Sequence, residues 1–295
     1  MNLRKKGMID SMNVLVVILN YNGLELLKKH LSSVVKTNYS NFDTVVVDNG
    51  STDDSVEYLK KEYPDIKIVR SNTNLGFGRG NNLGVEMYPN YDAYVLLNND
   101  VSVESNWLNE LVKVLEKDRE IGAVGPKILY SEKRNSKYVI NSAGMVIDKH
   151  FMSYDRYEGE IDSENYSATQ EVECLTGGAI LITKEAWDKV GGFNPKMFLY
   201  YEDVDLCLRI KDAGYKLYYC GKSIVYHDCM ASTSSMGSLK RNFLSMKNRY
   251  ISIVSRLGFL VGLTETLWYI FNWVVWKLIY SKRVSLKEYL TKKNE

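Results

Sequence analysis

The sequence has few cysteines, and their spacing forms no recognisable framework. Its 295 residues include four cysteines, and no two of them form a Cys-x-x-Cys pair. This spacing excludes a small disulfide-stapled domain. The sequence therefore predicts free thiols in a reducing compartment at Cys174, Cys207, Cys220 and Cys229.

A strong charge excess and an apolar leader are also missing. The formal net charge is +2, which is too small to favour a nucleic-acid partner. The stretch Gly7–Ser11 offers no apolar core for a signal peptide, so we expect the catalytic part to face the cytoplasm. No Asp or Glu occurs between Asp228 and Glu265, so a basic partner-binding surface, if the protein has one, is expected in the C-terminal part.

Continuous apolar runs in the first half of the chain predict an α/β fold. The runs 13–19, 44–47, 66–70 and 94–97 have the length and β-branching of buried strands. Residues with helical spacing follow each run, and the amphipathic helix 107–115 leads to a further short strand at 123–124. Four successive strand–helix units predict a mostly parallel central sheet with helices on both faces.

The end of the fourth strand is the first candidate site. The apolar run there breaks abruptly into Asn98, Asn99 and Asp100. Open α/β sheets bind ligands at the carboxyl edge, and a carboxylate beside two amide carbonyls suits a hard divalent cation that also carries phosphate oxygens and waters. The alternative is a strand-ending turn without chemistry.

Polar residues also follow the other strands of this half. The first strand ends in Asn20-Tyr21-Asn22-Gly23 and the second in Asp48-Asn49-Gly50-Ser51, where Ser51 with Asp54 resembles a helix capping box. After the third strand comes the glycine-rich loop 74–82, which brings backbone close to a phosphate and supplies Arg79 as a partner.

The second half is less regular. Residues 151–170 are polar and tyrosine-rich without a clear period, which predicts a surface loop or an acceptor-side flap. Gly177 and Gly178 either relieve packing or leave space for a sugar ring. Two predicted strands, 216–220 and 223–226, lead to His227.

Three carboxylates and one histidine are further candidates. Glu202, Asp203 and Asp205 open a predicted helix, where acids complement the macrodipole without any other function. Their mutual repulsion raises pKa values while the helix N-terminus lowers them, so the residues alone do not decide which is the base. His227 stands at a strand end and is a candidate ligand, whereas His30 and His150 have no such setting.

Taken in order, these motifs resemble family 2 inverting glycosyltransferases of the GT-A fold, and more closely their rhamnosyltransferase-like branch. Each motif is weak alone, and the signal comes from their order and spacing over about residues 13–230. The motifs are 16–22, 47–53, 74–77, 96–100, 177–179, 202–203 and 226–227.

The resemblance implies a nucleoside-diphospho-sugar held across the carboxyl edge of the sheet. It places Asn20 and Asn22 in the nucleoside pocket, Asp48 on the base, and Asn49 and Ser51 close by. The same resemblance implies that Arg79 and Asn82 flank the diphosphate, that Asn98, Asn99, Gly177, Gly178 and Glu202 belong to the donor site, that Asp100 and His227 hold Mg²⁺ or Mn²⁺, and that Asp203 is the catalytic base.

One position departs from the family pattern. Many members carry an aspartate where this chain has Asn98, and the amide lowers the negative charge of the site. The cation is therefore expected to bind weakly and to arrive with the nucleotide. Inverting transfer itself needs one base for the acceptor hydroxyl, together with a cation and nearby donors for the departing diphosphate.

The predicted organisation has three parts. Residues 1–12 form a tail, 13–230 the transferase domain with a nucleotide-binding half (13–125) and an acceptor-binding half (126–230), and 231–295 a basic, aromatic, helical appendage.

Between 258 and 276 Glu265 is the one charged residue, and the flanks are basic, which predicts an interfacial helix on anionic lipid at the inner face of the cell membrane. A single bilayer span and a dimer-forming or core-packing helix are the alternatives.

The predicted activity is transfer of a sugar, with rhamnose as a candidate, to a hydroxyl of a glycan or polyprenyl-linked acceptor in cell-surface polysaccharide synthesis. Two other classes stay open. A sugar-phosphate nucleotidyltransferase shares the topology, but its glycine-rich N-terminal phosphate loop is missing, since the segment 20–23 contains one glycine. A non-catalytic nucleotide-sugar binding protein is the second, because of Asn98.

Overall fold

The computed structural model describes residues 11–228 and 237–291. The chain divides into two compact units, the first ending at Arg241 and the second beginning at Asn242. The predicted boundary at residue 230 and most of the predicted tail lie outside the described residues. Cys174, Cys207 and Cys220 are buried free thiols, and Cys229 lies outside the described part.

The first unit contains all the strands of the described chain. They are β1 (Val14–Asn20), β2 (Phe42–Asp48), β3 (Lys67–Arg70), β4 (Ala93–Asn98), β5 (Val101–Val103), β6 (Ile121–Tyr130), β7 (Ile140–Ser142), β8 (Met145–Ile147), β9 (Ser153–Asp155), β10 (Thr169–Glu171), β11 (Ala179–Thr183) and β12 (Lys216–His227). The helices are α1 (Leu24–Val35), α2 (Ser55–Glu62), α3 (Phe77–Met87), α4 (Trp107–Leu115), α5 (Lys184–Val190), α6 (Glu202–Asp212), α7 (Ser238–Leu257) and α8 (Phe259–Thr291).

The central sheet has the order β10-β12-β6-β11-β4-β1-β2-β3, with β5 and β7 pairing at the ends of β12 and β6. Strands β4, β1, β2 and β3 are parallel, as predicted. The next strand in space is not the one at 123–124, because β11 lies antiparallel between β4 and β6. This insertion brings the start of β11 to the edge where β4 ends.

Apolar side chains fill both faces of the sheet. Leu15 and Val17 of β1 lie in one cluster with residues of α3, α5 and α6, and Val14, Val16 and Ile18 lie in another with residues of α1, α2 and α4. Alternate residues of a strand point to opposite faces, so a strand covered on both sides is apolar throughout. The continuous runs in the sequence have this origin.

Three local predictions were wrong. The two strands expected at 216–220 and 223–226 are one strand, β12, whose register shifts between Cys220 and Ile224. The stretch 151–170 is not all loop, because it includes β9, a 3₁₀ turn at Glu164–Tyr166 and the start of β10. The capping box fails because α2 begins at Ser55, whose backbone N–H donates to Asp53 instead.

Candidate functional site

The strand register aligns the polar strand ends at one edge of the sheet. Asn20 pairs with Asp48, and Asp48 pairs with Arg70, across β1, β2 and β3. The Asn98 backbone N–H donates to the Gly178 carbonyl at 3.1 Å, which places the start of β11 beside the end of β4. Parallel strands of equal register end together, so Asn20, Asp48 and Asn98 lie at one edge, and the hydrogen bond from Asn98 adds Gly178 to it.

Asp48 is a buried carboxylate with defined partners. Its Oδ1 accepts the Ser51 backbone N–H at 3.3 Å, and its Oδ2 pairs with Arg70 Nε at 3.3 Å. Arg70 was missed in the sequence, where it reads only as the last residue of β3. The sequence feature that could have revealed Arg70 is a positive charge at the end of an apolar strand, at the same position along the sheet as Asp48.

The ends of β1 and β2 are joined by hydrogen bonds from Asn22. Its backbone N–H donates to Ser51 Oγ at 2.9 Å, and its Oδ1 accepts the Thr52 backbone N–H at 2.8 Å. Asn22 has φ 48°, a left-handed conformation that asparagine tolerates better than most residues. Asn22 and Ser51 therefore fix the two strand ends beside Asp48.

Amide side chains connect neighbouring strand ends. Asn99 Nδ2 donates to Asn20 Oδ1 at 2.8 Å, and Asn20 is fully buried. Asn49 Oδ1 accepts the Leu75 backbone N–H at 2.9 Å, and its amide donates to Asn74 Oδ1 at 3.1 Å. These bonds hold the glycine-rich loop against the sheet edge.

The glycine-rich loop enters α3 through Gly76. Its φ is 83°, and a Cβ there would lie 2.3 Å from the Phe198 carbonyl oxygen, so no other residue fits without strain. Arg79 is exposed on the first turn of α3. Asn82 uses both ends of its amide on the Phe193 backbone, at 2.9 Å each. Asn82 thus positions the loop at 193, and its contact with a diphosphate stays a prediction.

Asp100 and His227 lie side by side. Asp100 is 2% exposed, and His227 Nε2 is 3.3 Å from its Oδ1. The other ring nitrogen, Nδ1, lies 2.9 Å from Asn141 Oδ1. When Nδ1–H donates to that oxygen, Nε2 carries a lone pair directed at the Asp100 side, which is the form of histidine that binds a metal. Asn141 was missed because it lies in a three-residue strand.

These residues fit a divalent cation that brings ligands of its own. In residues 11–228 and 237–291 no cluster of three or more His, Cys, Asp or Glu side chains has the geometry of a metal site. One carboxylate and one imidazole are donors that accept Mg²⁺ or Mn²⁺ when substrate phosphates and waters complete the coordination. The pair therefore offers two of the ligands that such a cation needs.

His30 lies in α1 and not at a strand end, and it is linked to Asp100 through Asp228. It is buried, its Nδ1 is 2.7 Å from Ser102 Oγ, and its Nε2 is 3.5 Å from Asp228 Oδ2. The Asp228 backbone N–H in turn donates to the Asp100 carbonyl at 2.9 Å. Burial and the Lys29 charge lower the pKa of His30. The sequence feature that could have indicated a buried His30 is its position on the apolar face of α1.

The N-terminus of α6 follows a strained turn. Tyr200 and Tyr201 have φ of 70° and 69°, which is costly for two successive bulky residues and is typical of functional sites. Asp203 Oδ2 accepts the Gly177 backbone N–H at 2.8 Å, and its Oδ1 accepts the Val204 backbone N–H at 2.8 Å. A Cβ on Gly177 would lie 3.3 Å from the Asp203 Cβ, so glycine allows this close approach.

The three carboxylates of α6 differ in their surroundings. Asp205 is fully buried and pairs with Arg209 Nε at 2.8 Å, which is a structural contact. Glu202 is 5% exposed, and burial with the Asp203 charge raises its pKa to about 8, so it is protonated at neutral pH. Burial also raises the pKa of Asp203, but the amides of Gly177 and Val204 oppose the shift. Asp203 is the carboxylate best suited to accept a proton.

The protonation of Glu202 predicts a pH-dependent stability. The folded protein holds this proton up to about pH 8, whereas the unfolded chain releases it near 4.5, so the free energy of unfolding should fall as pH rises between these values. Glu202→Gln removes this term together with its electrostatic coupling to Asp203. We expect the melting temperature of the variant to exceed that of the parent by several degrees at pH 8–9, at about 2–4 °C per kcal/mol. Circular dichroism melts from pH 5 to 9 check this, and parallel curves would contradict it.

Comparison with known proteins gives two family matches. The model described as "Glycosyl transferase family 2" matches residues 15–191, more than half of the chain. A second, described as "N-terminal domain of galactosyltransferase", matches residues 160–229. Together they cover the edge that carries Asp48, Asp100, Asp203 and His227.

Several curated relatives match most of this chain, and two of them are described here. An uncharacterized protein y4gI of Sinorhizobium fredii is 29% identical over 232 residues, which are 74% of this chain and 25% of the relative. An N-acetylglucosaminyl-diphospho-decaprenol L-rhamnosyltransferase of Mycobacterium tuberculosis is 26% identical over 235 residues, 74% of this chain and 76% of the relative. The chain thus spans a quarter of the first relative and three quarters of the second.

Among solved structures, GalNAc-T7 crystallised with UDP, GalNAc and Mn²⁺ superposes with a TM-score of 0.62 at 20% identity. The superposition covers 73% of this chain and 43% of that one. At this identity the likeness shows the fold alone, and it confirms the predicted GT-A fold with a mostly parallel central sheet.

Proposed function

The chain belongs to glycosyl transferase family 2, and from that membership we propose that it transfers a sugar from a nucleoside-diphospho-sugar to an acceptor hydroxyl with inversion at the anomeric carbon. The observation that carries the proposal is the shared sheet edge, where the Asp48–Arg70 and Asp100–His227 pairs stand at strand ends and Asp203, in the first turn of α6, accepts the Gly177 amide just before β11. A nucleoside needs a hydrogen-bond acceptor, a diphosphate needs a cation, and transfer of the sugar needs a base, and these residues offer the three in this order.

The donor would lie along this edge. The Asp48 carboxylate is a hydrogen-bond acceptor for a nucleobase N–H, and Asn20, Asn22, Asn49 and Ser51 frame its pocket. Arg79, exposed on the first turn of α3, is placed to approach a diphosphate. Gly177 lets Asp203 approach the start of β11, and Gly178, where an added Cβ would meet Ile128 at 3.6 Å, would leave room for the sugar.

Asp100 and His227 would hold Mg²⁺ or Mn²⁺, with Asn98 and Asn99 nearby. When bound, the cation stabilises the negative charge that develops on the leaving diphosphate. The chain contributes the buried Asp100 carboxylate and the His227 imidazole, whose Nδ1 is hydrogen-bonded to Asn141. GalNAc-T7, of the same fold, was crystallised with Mn²⁺.

Asp203 would act as the base. Its carboxylate takes the proton of the acceptor hydroxyl while the oxygen forms a bond to the anomeric carbon, and the bond from that carbon to the diphosphate oxygen breaks on the opposite face. The Gly177 and Val204 amides hold the carboxylate in place. Glu202, which is protonated, would stay a positioning residue of the donor site.

We extend the proposal to the substrates through the relatives. The M. tuberculosis relative is named for transfer of L-rhamnose to an N-acetylglucosaminyl-diphospho-decaprenol. Rhamnose is therefore the first donor sugar to test, and a polyprenyl-diphosphate-linked sugar the first acceptor. Such acceptors serve cell-surface polysaccharide synthesis at the inner face of the membrane.

The second unit supports contact with a membrane surface. On α8 an apolar stripe is exposed, with residues three or four apart: Leu260, Leu263, Leu267, Ile270, Phe271 and Val274. Arg249 of α7 donates to the Glu265 backbone carbonyl at 3.0 Å and stacks over Tyr269, so this side of α8 packs against α7. Within the described chain no helix has the length and hydropathy to cross a bilayer. An interfacial position suits such a stripe.

Loss of this stripe should weaken membrane binding. Leu260 and Phe271 are 75% and 67% exposed, so changing both to serine costs the fold little. We expect at least a roughly tenfold weaker sedimentation with anionic vesicles, because burying each side chain contributes about 1.5–3 kcal/mol. The control is Val35→Ser, an exposed apolar residue of α1. Unchanged sedimentation, with a shift from dimer to monomer in ultracentrifugation, would instead support the dimer alternative.

A donor panel tests the proposed function. Nucleoside-diphospho-sugars are incubated with the full chain, with and without Mn²⁺, and the released nucleoside diphosphate is measured. Release from one donor, dependent on the cation, supports a transferase. Tight donor binding by calorimetry without any release would favour the non-catalytic alternative, and consumption of a nucleoside triphosphate with a sugar phosphate would favour a nucleotidyltransferase.

A further inference from the structure

The β8–β9 hairpin carries a carboxylate for which the proposed reaction has no role so far. Met145 of β8 lies directly opposite Asp155 of β9. Directly opposite residues of an antiparallel pair share one face. Met145 belongs to the buried core, whereas Val146 and Tyr154 are exposed on the other face. The Asp155 side chain is therefore directed into the protein.

The hairpin is anchored to the catalytic end of α6. Tyr201 Oη donates to the Phe151 carbonyl at 2.7 Å, at the turn of the hairpin. At the other end, the Met145 backbone N–H donates to the Cys174 carbonyl at 2.8 Å. Tyr201 immediately precedes Glu202 and Asp203, and Cys174 lies three residues before Gly177. Asp155 is thus held between the two segments that position Asp203.

Asp155 is poorly satisfied by the protein. Its Oδ1 is buried and has no hydrogen-bond partner within the described chain. Burial raises its pKa to about 6, the charges of Asp203 and Glu158 act in the same direction, and Ser142 and His227 oppose the shift. A buried acceptor without a partner is costly, and a catalytic or ligand-binding role is one of the reasons why proteins keep such groups.

The chemistry of the missing partner is restricted. A phosphate would be repelled by the carboxylate, and a protein-bound cation at this point lacks a cluster of three ligands among residues 11–228 and 237–291. A hydroxyl donates one hydrogen bond to a carboxylate without a change in charge. Sugar hydroxyls are the groups of this kind in the proposed reaction.

We propose that Asp155 binds a second hydroxyl of the acceptor sugar, beside the hydroxyl that Asp203 deprotonates. This inference rests on the proposed function. Asp155 is then a specificity-determining residue: an acceptor without that hydroxyl leaves the buried Oδ1 unpaired, and such a site rejects the deoxy analogue strongly. Bound in this way, the second hydroxyl would orient the acceptor for attack.

The test separates transfer to water from transfer to a sugar. The variants are Asp155→Asn, Asp155→Ala and the control Glu158→Gln, an exposed carboxylate of the same segment that accepts from Tyr130 Oη at 2.9 Å. The probes are a nucleoside-diphospho-rhamnose and a short-chain N-acetylglucosaminyl-diphospho-polyprenol. Donor affinity is measured by calorimetry, hydrolysis without acceptor by nucleoside diphosphate release, and transfer by the acceptor KM and kcat.

We expect the Asp155 variants to raise the acceptor KM by roughly ten- to a hundredfold, the scale of a hydrogen bond to a charged group. Donor affinity and hydrolysis should stay within about twofold of the parent, since water needs no second hydroxyl contact. The melting temperature should be unchanged or higher, because the substitution removes a poorly solvated charge. The Glu158→Gln variant should match the parent in every measurement.

Three results would overturn the inference. Weaker donor affinity would assign Asp155 to the donor sugar. An equal fall in hydrolysis and transfer would assign it to the chemistry itself. A lower melting temperature with loss of all activities would make the residue structural. A parent protein that releases no nucleoside diphosphate would instead refute the proposed function. The release from the parent is therefore measured before any variant is made.

Discussion

Asp203→Asn is expected to lower turnover by roughly a hundredfold or more, the scale of general-base catalysis, while donor affinity survives. The substitution keeps the size of the side chain and removes the proton acceptor. Because the pKa of Asp203 is raised by burial, the parent should also lose activity on acidification at a higher pH than an ordinary aspartate would cause. Steady-state rates across pH, with calorimetric donor binding, measure both effects.

Glu202→Gln is the matched control for this experiment. Glu202 is protonated at neutral pH, so the amide changes its charge little, and activity should fall far less than in the Asp203 variant. Successive residues point about 100° apart around a helix, so Glu202 and Asp203 do not both face one hydroxyl. An inactive Glu202 variant beside a fully active Asp203 variant would reverse the assignment.

Asp100→Ala is expected to abolish metal-dependent transfer, with a loss of roughly a thousandfold, because a catalytic cation contributes several kcal/mol. Asp100 stands at the sheet edge, and its hydrogen bond to the Asp228 backbone uses the main-chain carbonyl, which alanine keeps. The fold should therefore survive. Mn²⁺ binding in the presence of a nucleoside diphosphate, followed by calorimetry, should weaken in parallel with the rate.

His227→Ala should weaken cation use less than Asp100→Ala does. Water and substrate phosphates fill a vacated coordination position more readily than they replace a carboxylate charge. Undiminished transfer by the parent in excess EDTA would refute the metal role of both residues. An Asp100 variant that binds Mn²⁺ and nucleotide normally but fails to turn over would move Asp100 from the cation to another step.

The fold and the edge of the site follow largely from local sequence. Strand β1 was predicted at 13–19 and occurs at Val14–Asn20, because β-branched residues buried on both faces form a continuous apolar run. The polar residues after β1, β2 and β4 were expected at one edge, and the parallel register places them there. Neighbours in the chain determine these features, so they are readable from the sequence.

Only the tertiary structure decided which groups act together. The three acids of α6 were equal in the sequence, and they differ because Asp205 contacts Arg209, Glu202 is buried and Asp203 receives the Gly177 amide.

Likewise, Asn141 meets His227 across 86 positions of chain, and Asp155 lies in a stretch without period. Such partners come from the pairing of distant strands, whose register depends on packing of the whole sheet. The periodicity within one segment does not predict the register between distant strands.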